Sequence, residues 1–237
     1  VRETWGAVLS GPRAALLVLA KAPVPGEVKT RLCPPITPTQ AAGIAAAAFL
    51  DTLDAVLAVP DVVPVVALAG DLNRAVEGAV ITARLRATTL LPQRGATLGE
   101  RIAAAYADTA AMVGDRPVLQ IGMDTPQVNA TLLSHCLERL EGDGADAALG
   151  MATDGGWWIL GVRRAELAVL IAGIPTSRPD TGVKTMAALR AAGLRVIELP
   201  ELSDVDTWED AAAVAGAAPD GRFAAAVATL GALDVPG

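Results

Sequence analysis

The sequence predicts an α/β protein: a mixed, mainly parallel sheet with helices on both faces. Three observations carry that prediction. Short apolar runs of strand length alternate with helix-length amphipathic segments almost throughout. The runs are apolar on both sides rather than alternating, as in strands covered on both faces. Most connections between elements are short, which argues for one domain over residues 14–237 preceded by a loosely held leader, residues 1–13. The length, 237 residues, is ample for such a core.

The first strand is expected over Ala14–Ala20. It breaks into a loop punctuated by Pro23, Pro25 and Gly26. Thr37-Pro38-Thr39-Gln40 is a capping box with proline at the first helical position, starting a long helix to Ala58. Asp61–Gly70 reads as the second strand, Asp71 caps a short helix near Leu72–Gly78, and a third strand falls near Leu85–Leu91. Gln93–Arg101 opens a helix to Met112, and Pro117–Gly122 is a strand. Asn129 caps a helix to Leu140, and Ala145–Gly150 is a strand. The Asp154-Gly155-Gly156 turn returns the chain as a strand over Trp157–Val162, which would place one strand antiparallel. A loop Ile174–Thr181, a helix Gly182–Ala192 and a last strand Leu194–Leu199 follow. Thr207 then caps a helix.

Composition narrows function. Net charge is −7, and only Lys21, Lys29 and Lys184 are lysines. Two of the three fall in one loop of an acidic chain, which disfavours duplex nucleic acid but suits a small anion. Two cysteines, Cys33 and Cys136, make no disulfide framework or metal spacing, so a reduced cytoplasmic compartment is the default. The apolar run after the leader is too short to span a bilayer, and no membrane association is expected. An exposed apolar helix face would support a homodimer.

Four constellations point to chemistry. Ala20 and Lys21, at the end of the first strand, lead into Pro25, Gly26, Lys29 and Arg31, a sharp basic loop suited to phosphates. It is neither a P-loop nor G-x-G-x-x-G. Asp124 follows Gly122 at a strand's carboxyl end, where a carboxylate can hold a divalent cation. Asp204-Val205-Asp206-Thr207 also follows a strand, so Asp206 is placed to approach Asp124. Asp154, Gly155, Gly156, Trp157 and Trp158 form a turn suited to a sugar or small polar body. Arg94 and Gly95 add a phosphate or base contact, and Thr181 closes a candidate acceptor loop. The single histidine, His135, lies mid-helix and reads as a structural surface residue, which disfavours a Ser-His-Asp or His-metal mechanism.

In this order Lys21–Leu32, Gln93-Arg94-Gly95, Gly122–Pro126, Asp154–Trp158 and Asp204–Thr207 resemble a bacterial glycosyltransferase A-like (GT-A) family of unknown function. Its members are labelled nucleotide-diphospho-sugar transferases, some of them associated with arsenosugar biosynthesis. The resemblance implies a GT-A-like three-layer α/β/α sandwich. It implies a metal-dependent glycosyltransferase that moves a sugar from a nucleotide-diphospho-sugar donor to a small-molecule acceptor. Asp124 takes the part of the metal-binding aspartate, with Asp206, around Mg²⁺ or Mn²⁺, although Gly-Met-Asp stands where Asp-x-Asp is usual. Asp154 and Lys29 join Asp124 as catalytic candidates. The same layout is similar to 2-phospholactate guanylyltransferases, so nucleotidyl transfer remains an alternative, and a non-catalytic nucleotide-binding protein is a third.

Overall fold

The computed structural model describes residues 11–142 and 144–232. Most of the expected leader, residues 1–10, lies outside them. Arg13 donates its backbone N–H to Asp61 O at 2.8 Å and pairs with Glu141 at 3.0 Å.

The elements run β1 (Ala14–Lys21), α1 (Pro38–Leu57), β2 (Val62–Ala69), α2 (Gly78–Leu85), β3 (Thr89–Pro92), α3 (Leu98–Val113) and β4 (Val118–Gly122). They continue as α4 (Ala130–Glu141), β5 (Ala147–Ala152), β6 (Trp157–Val162), α5 (Thr181–Ala191), β7 (Val196–Leu202), α6 (Trp208–Ala217) and α7 (Arg222–Gly231). Short 3₁₀ turns cover Thr30–Leu32, Leu72–Arg74 and Ala165–Ile171.

Among the described residues the strands form one sheet in the order β3-β2-β1-β4-β6-β5-β7. Only β6 runs against the rest, pairing antiparallel with both β4 and β5. The short Thr153–Gly156 connection requires this, because a parallel return needs a crossover of a dozen or more residues. The expected mixed, mainly parallel sheet is therefore present.

Helices cover both faces. α1 and α4 pack on one, with Phe49, Leu53, Leu133 and Leu137 against Leu16, Val18 and Ile121. α3, the 165–171 turn and α5 pack on the other, around Tyr106, whose hydroxyl donates to Leu160 O at 2.6 Å. Each large side chain buried here contributes about 1.5–3 kcal/mol. α1 is apolar enough by composition to cross a membrane, yet 72% of its most apolar window is buried in this core. A third cluster joins Leu32 and Ile36, just after the basic loop, to Val205 and Phe223. That cluster brings the first loop and the post-β7 loop to the same end of the sheet.

Most strand ends shift by one or two residues, and two stretches depart further from expectation. The stretch read as the end of a short helix and the start of a strand is instead α2, Gly78–Leu85. Its Val80, Ile81 and Thr82 are β-branched and mask the helix in sequence. Ile81 and Leu85 are nevertheless spaced to bury one face. The last strand extends to Leu202 through Pro200. β7 is an edge strand, where a missing N–H is tolerated.

Candidate active site

Strand order reverses between β1 and β4: the chain leaves β1 toward β2 and β3, and returns on the other side with β4. Ligands of open α/β sheets sit at the carboxyl ends of strands at such a point. A cleft of about 550 Å³ opens there. It is lined by Ala20, Lys21, Lys29, Arg31, Gly122, Asp124, Asp154, Gly156, Trp157, Trp158, Thr181 and Asp206 among the residues singled out from sequence. The structure thus brings together residues separated by up to 186 positions, Ala20 to Asp206.

Lys29 is the centre of the charged half. Its backbone is left-handed, φ 46°, and its side chain is only 11% exposed. Nζ donates to Asp124 Oδ2 at 2.5 Å and to Val205 O at 2.6 Å. One lysine therefore ties the β1 loop, the end of β4 and the loop after β7. Desolvation by the surrounding chain would raise the Asp124 carboxyl, but the charge and hydrogen bond of Lys29 outweigh it and hold the group below its ordinary value. The Asp124 side chain keeps 42% exposure, so its charge still reaches the cleft. A Cβ on Gly122 would stand 2.8 Å from Asp124 Oδ1, so the glycine makes room for the carboxylate itself.

Asp206 pairs with Arg31. Its backbone N–H donates to Asp210 Oδ2 at 3.2 Å, and Thr207 N donates to the same oxygen at 2.7 Å. The α6 capping box thus also fixes the Asp204–Asp206 segment. Carboxylate oxygens of Asp154, Asp204 and Asp206 all lie within 4.8 Å of one another. Desolvation, with Asp154 and Asp206 adding like charge, pushes the Asp204 carboxyl up to about 6. Asp124 is outside this trio. Lys29 stands beside Asp124 and Arg31 beside Asp206.

Other sequence candidates stand elsewhere. Pro25, Gly26, Arg94, Gly95 and Gly155 do not line the cleft. Arg94 turns to Asp108 on α3, at 2.5 and 3.1 Å, because that carboxylate meets both arms of its guanidinium. Gly155 lies under the next loop: its φ is +86°, and a Cβ there would overlap Pro179 O. Trp158 is buried, packs against Gly150, and donates Nε1–H to Pro200 O at 2.8 Å, so its edge on the cleft belongs to a core residue. The Thr181 hydroxyl is used inside its own loop, donating to Pro175 O at 3.0 Å and accepting from Arg178 N at 3.2 Å. Lys21 Nζ reaches Glu27 O at 2.8 Å at the rim.

Sequence reasoning named Gln93 only within a motif and missed Arg101, Gln120 and Arg178; all four also line the cleft. Gln93 Nε2 donates to Ala20 O and Ala67 O, holding the ends of β1 and β2. A polar side chain in the apolar run Val118–Ile121 was the signal for Gln120.

A mainly parallel α/β/α sandwich with a charged cleft at its switch point defines the class: the fold of nucleotide-sugar transferase and cytidylyltransferase structures. The chain belongs to the bacterial family described as "Uncharacterized protein conserved in bacteria (DUF2064)", whose sequence profile matches residues 52–178. No curated protein matches the chain. Among solved structures it is similar to a "putative nucleotide-diphospho-sugar transferase" from Desulfovibrio desulfuricans G20. The two are 28% identical over 93% of this chain and 96% of that one, with a TM-score of 0.81. A CMP:2-keto-3-deoxy-manno-octonic acid synthetase complexed with CTP is 12% identical, covering 82% of this chain and 93% of that one, with a TM-score of 0.51. A cytidylyltransferase from Leptospira borgpetersenii is also 12% identical, covering 84% of each chain, with a TM-score of 0.51. The last two likenesses concern the fold.

Proposed function

We propose that the protein is a nucleotide-dependent transferase and that it moves a sugar from a nucleotide-diphospho-sugar to a small-molecule acceptor. The observation that carries this reading is the pairing of a basic loop with carboxylates at one cleft: Lys29 on Asp124, Arg31 on Asp206, and the Asp154–Asp204–Asp206 trio beside them. The Desulfovibrio likeness supports it.

The chain's own residues divide the work. Lys21, Arg31 and the remaining N–H of Lys29 bind the diphosphate oxygens. The acceptor hydroxyl oxygen bonds to the anomeric carbon, the bond from that carbon to the diphosphate breaks, and the nucleoside diphosphate leaves with the electron pair. Asp154, exposed at the rim, takes the hydroxyl proton. The trio's surroundings fit a divalent cation, because three carboxylates this close repel one another; burial first, and that repulsion second, raise the Asp204 carboxyl. Asp206 and Asp204, with Asp124 one lysine away, would hold Mg²⁺ or Mn²⁺ and leave Asp154 as the base. Such an ion supplies charge neutralisation at the departing diphosphate.

The test is a thermal-shift panel of nucleotide sugars, nucleoside diphosphates and triphosphates, each with and without Mg²⁺ or Mn²⁺. Metal-dependent stabilisation by a nucleotide sugar and its diphosphate, followed by diphosphate release in turnover, is the expected result. Stabilisation by a triphosphate with pyrophosphate release would replace it with nucleotidyl transfer, the second reading that the cytidylyltransferase-like fold favours. Stabilisation by none of them would overturn both.

Metal response should depend on pH. Asp204 has a folded-state pKa of about 6, above its unfolded value, so its charged form disfavours folding. That penalty is present above pH 6 and fades as pH falls through 6 toward the ordinary carboxylate range. Mg²⁺ or Mn²⁺ should therefore raise the melting temperature clearly at pH 7.5 and much less at pH 5, where a proton occupies Asp204. An equal metal shift at both values would remove Asp204 from the cation site.

A further inference from the structure

The cleft has a second half, on the α3 side, whose polar groups the phosphate and carboxylate chemistry leaves unused. Gln120 on β4 is 2% exposed, yet it lines the cleft and its Oε1 has no hydrogen-bond partner among the described residues. A buried acceptor without a donor is costly, and such groups are normally met. The same cleft is lined by two guanidinium groups with little to hold them. Arg101 donates Nε–H to Gly95 O at 3.1 Å, and among the described residues no carboxylate is within ion-pair reach of it. Arg178 approaches Asp180 only at 3.7 Å, while Lys184 takes that carboxylate at 2.7 Å. The Arg178 loop is held in place from within by the Thr181 hydroxyl and from beneath by Gly155.

We propose that Gln120, Arg101 and Arg178 form the acceptor subsite, and that the acceptor is a small polyol bearing an oxyanion, carboxylate or phosphate. Guanidinium groups suit the planar, multidentate geometry of either oxyanion. Gln120 Oε1 needs a donor, which a hydroxyl next to that oxyanion supplies. A further hydroxyl is then free to face Asp154. This inference rests on the transferase reading for the word acceptor, but the oxyanion site itself does not.

Glycerate, glycerol 3-phosphate and glycerol share one skeleton and differ only in charge, so they are the probes. Each is titrated by thermal shift and calorimetry against the full chain, alone and with a nucleoside diphosphate and Mg²⁺ present. The expected result is binding of glycerate or glycerol 3-phosphate and none of glycerol; whichever acid binds names the oxyanion. Arg178→Ala and Gln120→Leu should each weaken that binding about tenfold or more and leave the nucleoside diphosphate response unchanged. Should Gln120→Leu not fold, Arg178→Ala, on an exposed loop, carries the test alone. Failure of both acids to bind, equal binding of glycerol, or variants that weaken the nucleoside diphosphate instead would overturn the proposal. Oxyanion binding lost in Arg178→Ala, in a protein that responds to no nucleotide, would keep this site and discard the transferase reading.

Discussion

Asp124→Asn lowers turnover by about a thousandfold while leaving the protein folded. The substitution keeps volume and removes charge. Lys29, only 11% exposed, then loses its paired carboxylate and retains Val205 O as a neutral partner. Removing one member of a buried pair leaves the other uncompensated, which costs up to about 3–5 kcal/mol in a fully buried site. Here Asp124 is 42% exposed, so screening reduces the cost, and a fall of a few degrees in melting temperature is expected. The effect on rate is larger than the effect on stability. Under the proposed function, Asp124 orients the Lys29 ammonium toward the departing diphosphate and adds negative charge for the cation that neutralises it, so its loss acts on rate more than on folding. Measured kcat and melting temperature together check this. Near wild-type kcat in the Asn variant would remove Asp124 from the chemistry. The sign with pH is opposite to that of Asp204: the stability from the lowered Asp124 carboxyl is present above its unfolded pKa and is lost as pH falls through its folded value.

Gly155→Ala destabilises the protein by about 2–4 kcal/mol, a fall of about 10 °C in melting temperature, and reduces activity further than that loss explains. Two costs add. The backbone is left-handed at φ +86°, which alanine adopts only with strain, and the new methyl overlaps the Pro179 carbonyl. The obstacle is backbone, so no rotamer change relieves it. Gly182 N also donates to Gly155 O at 2.9 Å, so displacement of the turn pulls on the start of α5. The loop that carries Arg178 moves, and Asp154 moves with the turn. Gly26→Ala is the control: its φ is +77° but nothing lies within 4 Å of the added carbon. It should cost only about 1 kcal/mol of conformational strain. Equal melting temperatures for the two variants would show that the contact with Pro179 is not what Gly155 serves.

Much of the fold was legible because its signals are local. The Thr37 and Thr207 capping boxes form as the spacing of threonine and the residue three positions on demands. β1 and β4 announce themselves as apolar runs ending in a charged loop, and the Asp154–Gly156 turn reverses β6 as two adjacent glycines allow. The stretch from Gly78 to Leu85 failed for the opposite reason: its β-branched residues oppose the helix locally, and burial of Ile81 and Leu85 overrides them.

Side-chain partnerships were not legible in the same way. Arg94, in the loop before α3, reads as a phosphate or base contact and Arg101, in the first turn of α3, carries no such signal, yet Asp108 captures the first and leaves the second to the cleft. Lys29 reads as a phosphate ligand, and its place between Asp124 and Val205 O depends on Leu32 and Val205 packing in one cluster. Local chain chemistry therefore determined where strands end, where helices start and that basic and acidic residues would gather at strand ends. Which charge meets which was decided by sheet order and by the packing of α1, α6 and α7. Ionic and hydrogen-bond partners act only within a few ångströms, and only the folded chain brings residues 95 and 176 positions from Lys29 within that reach.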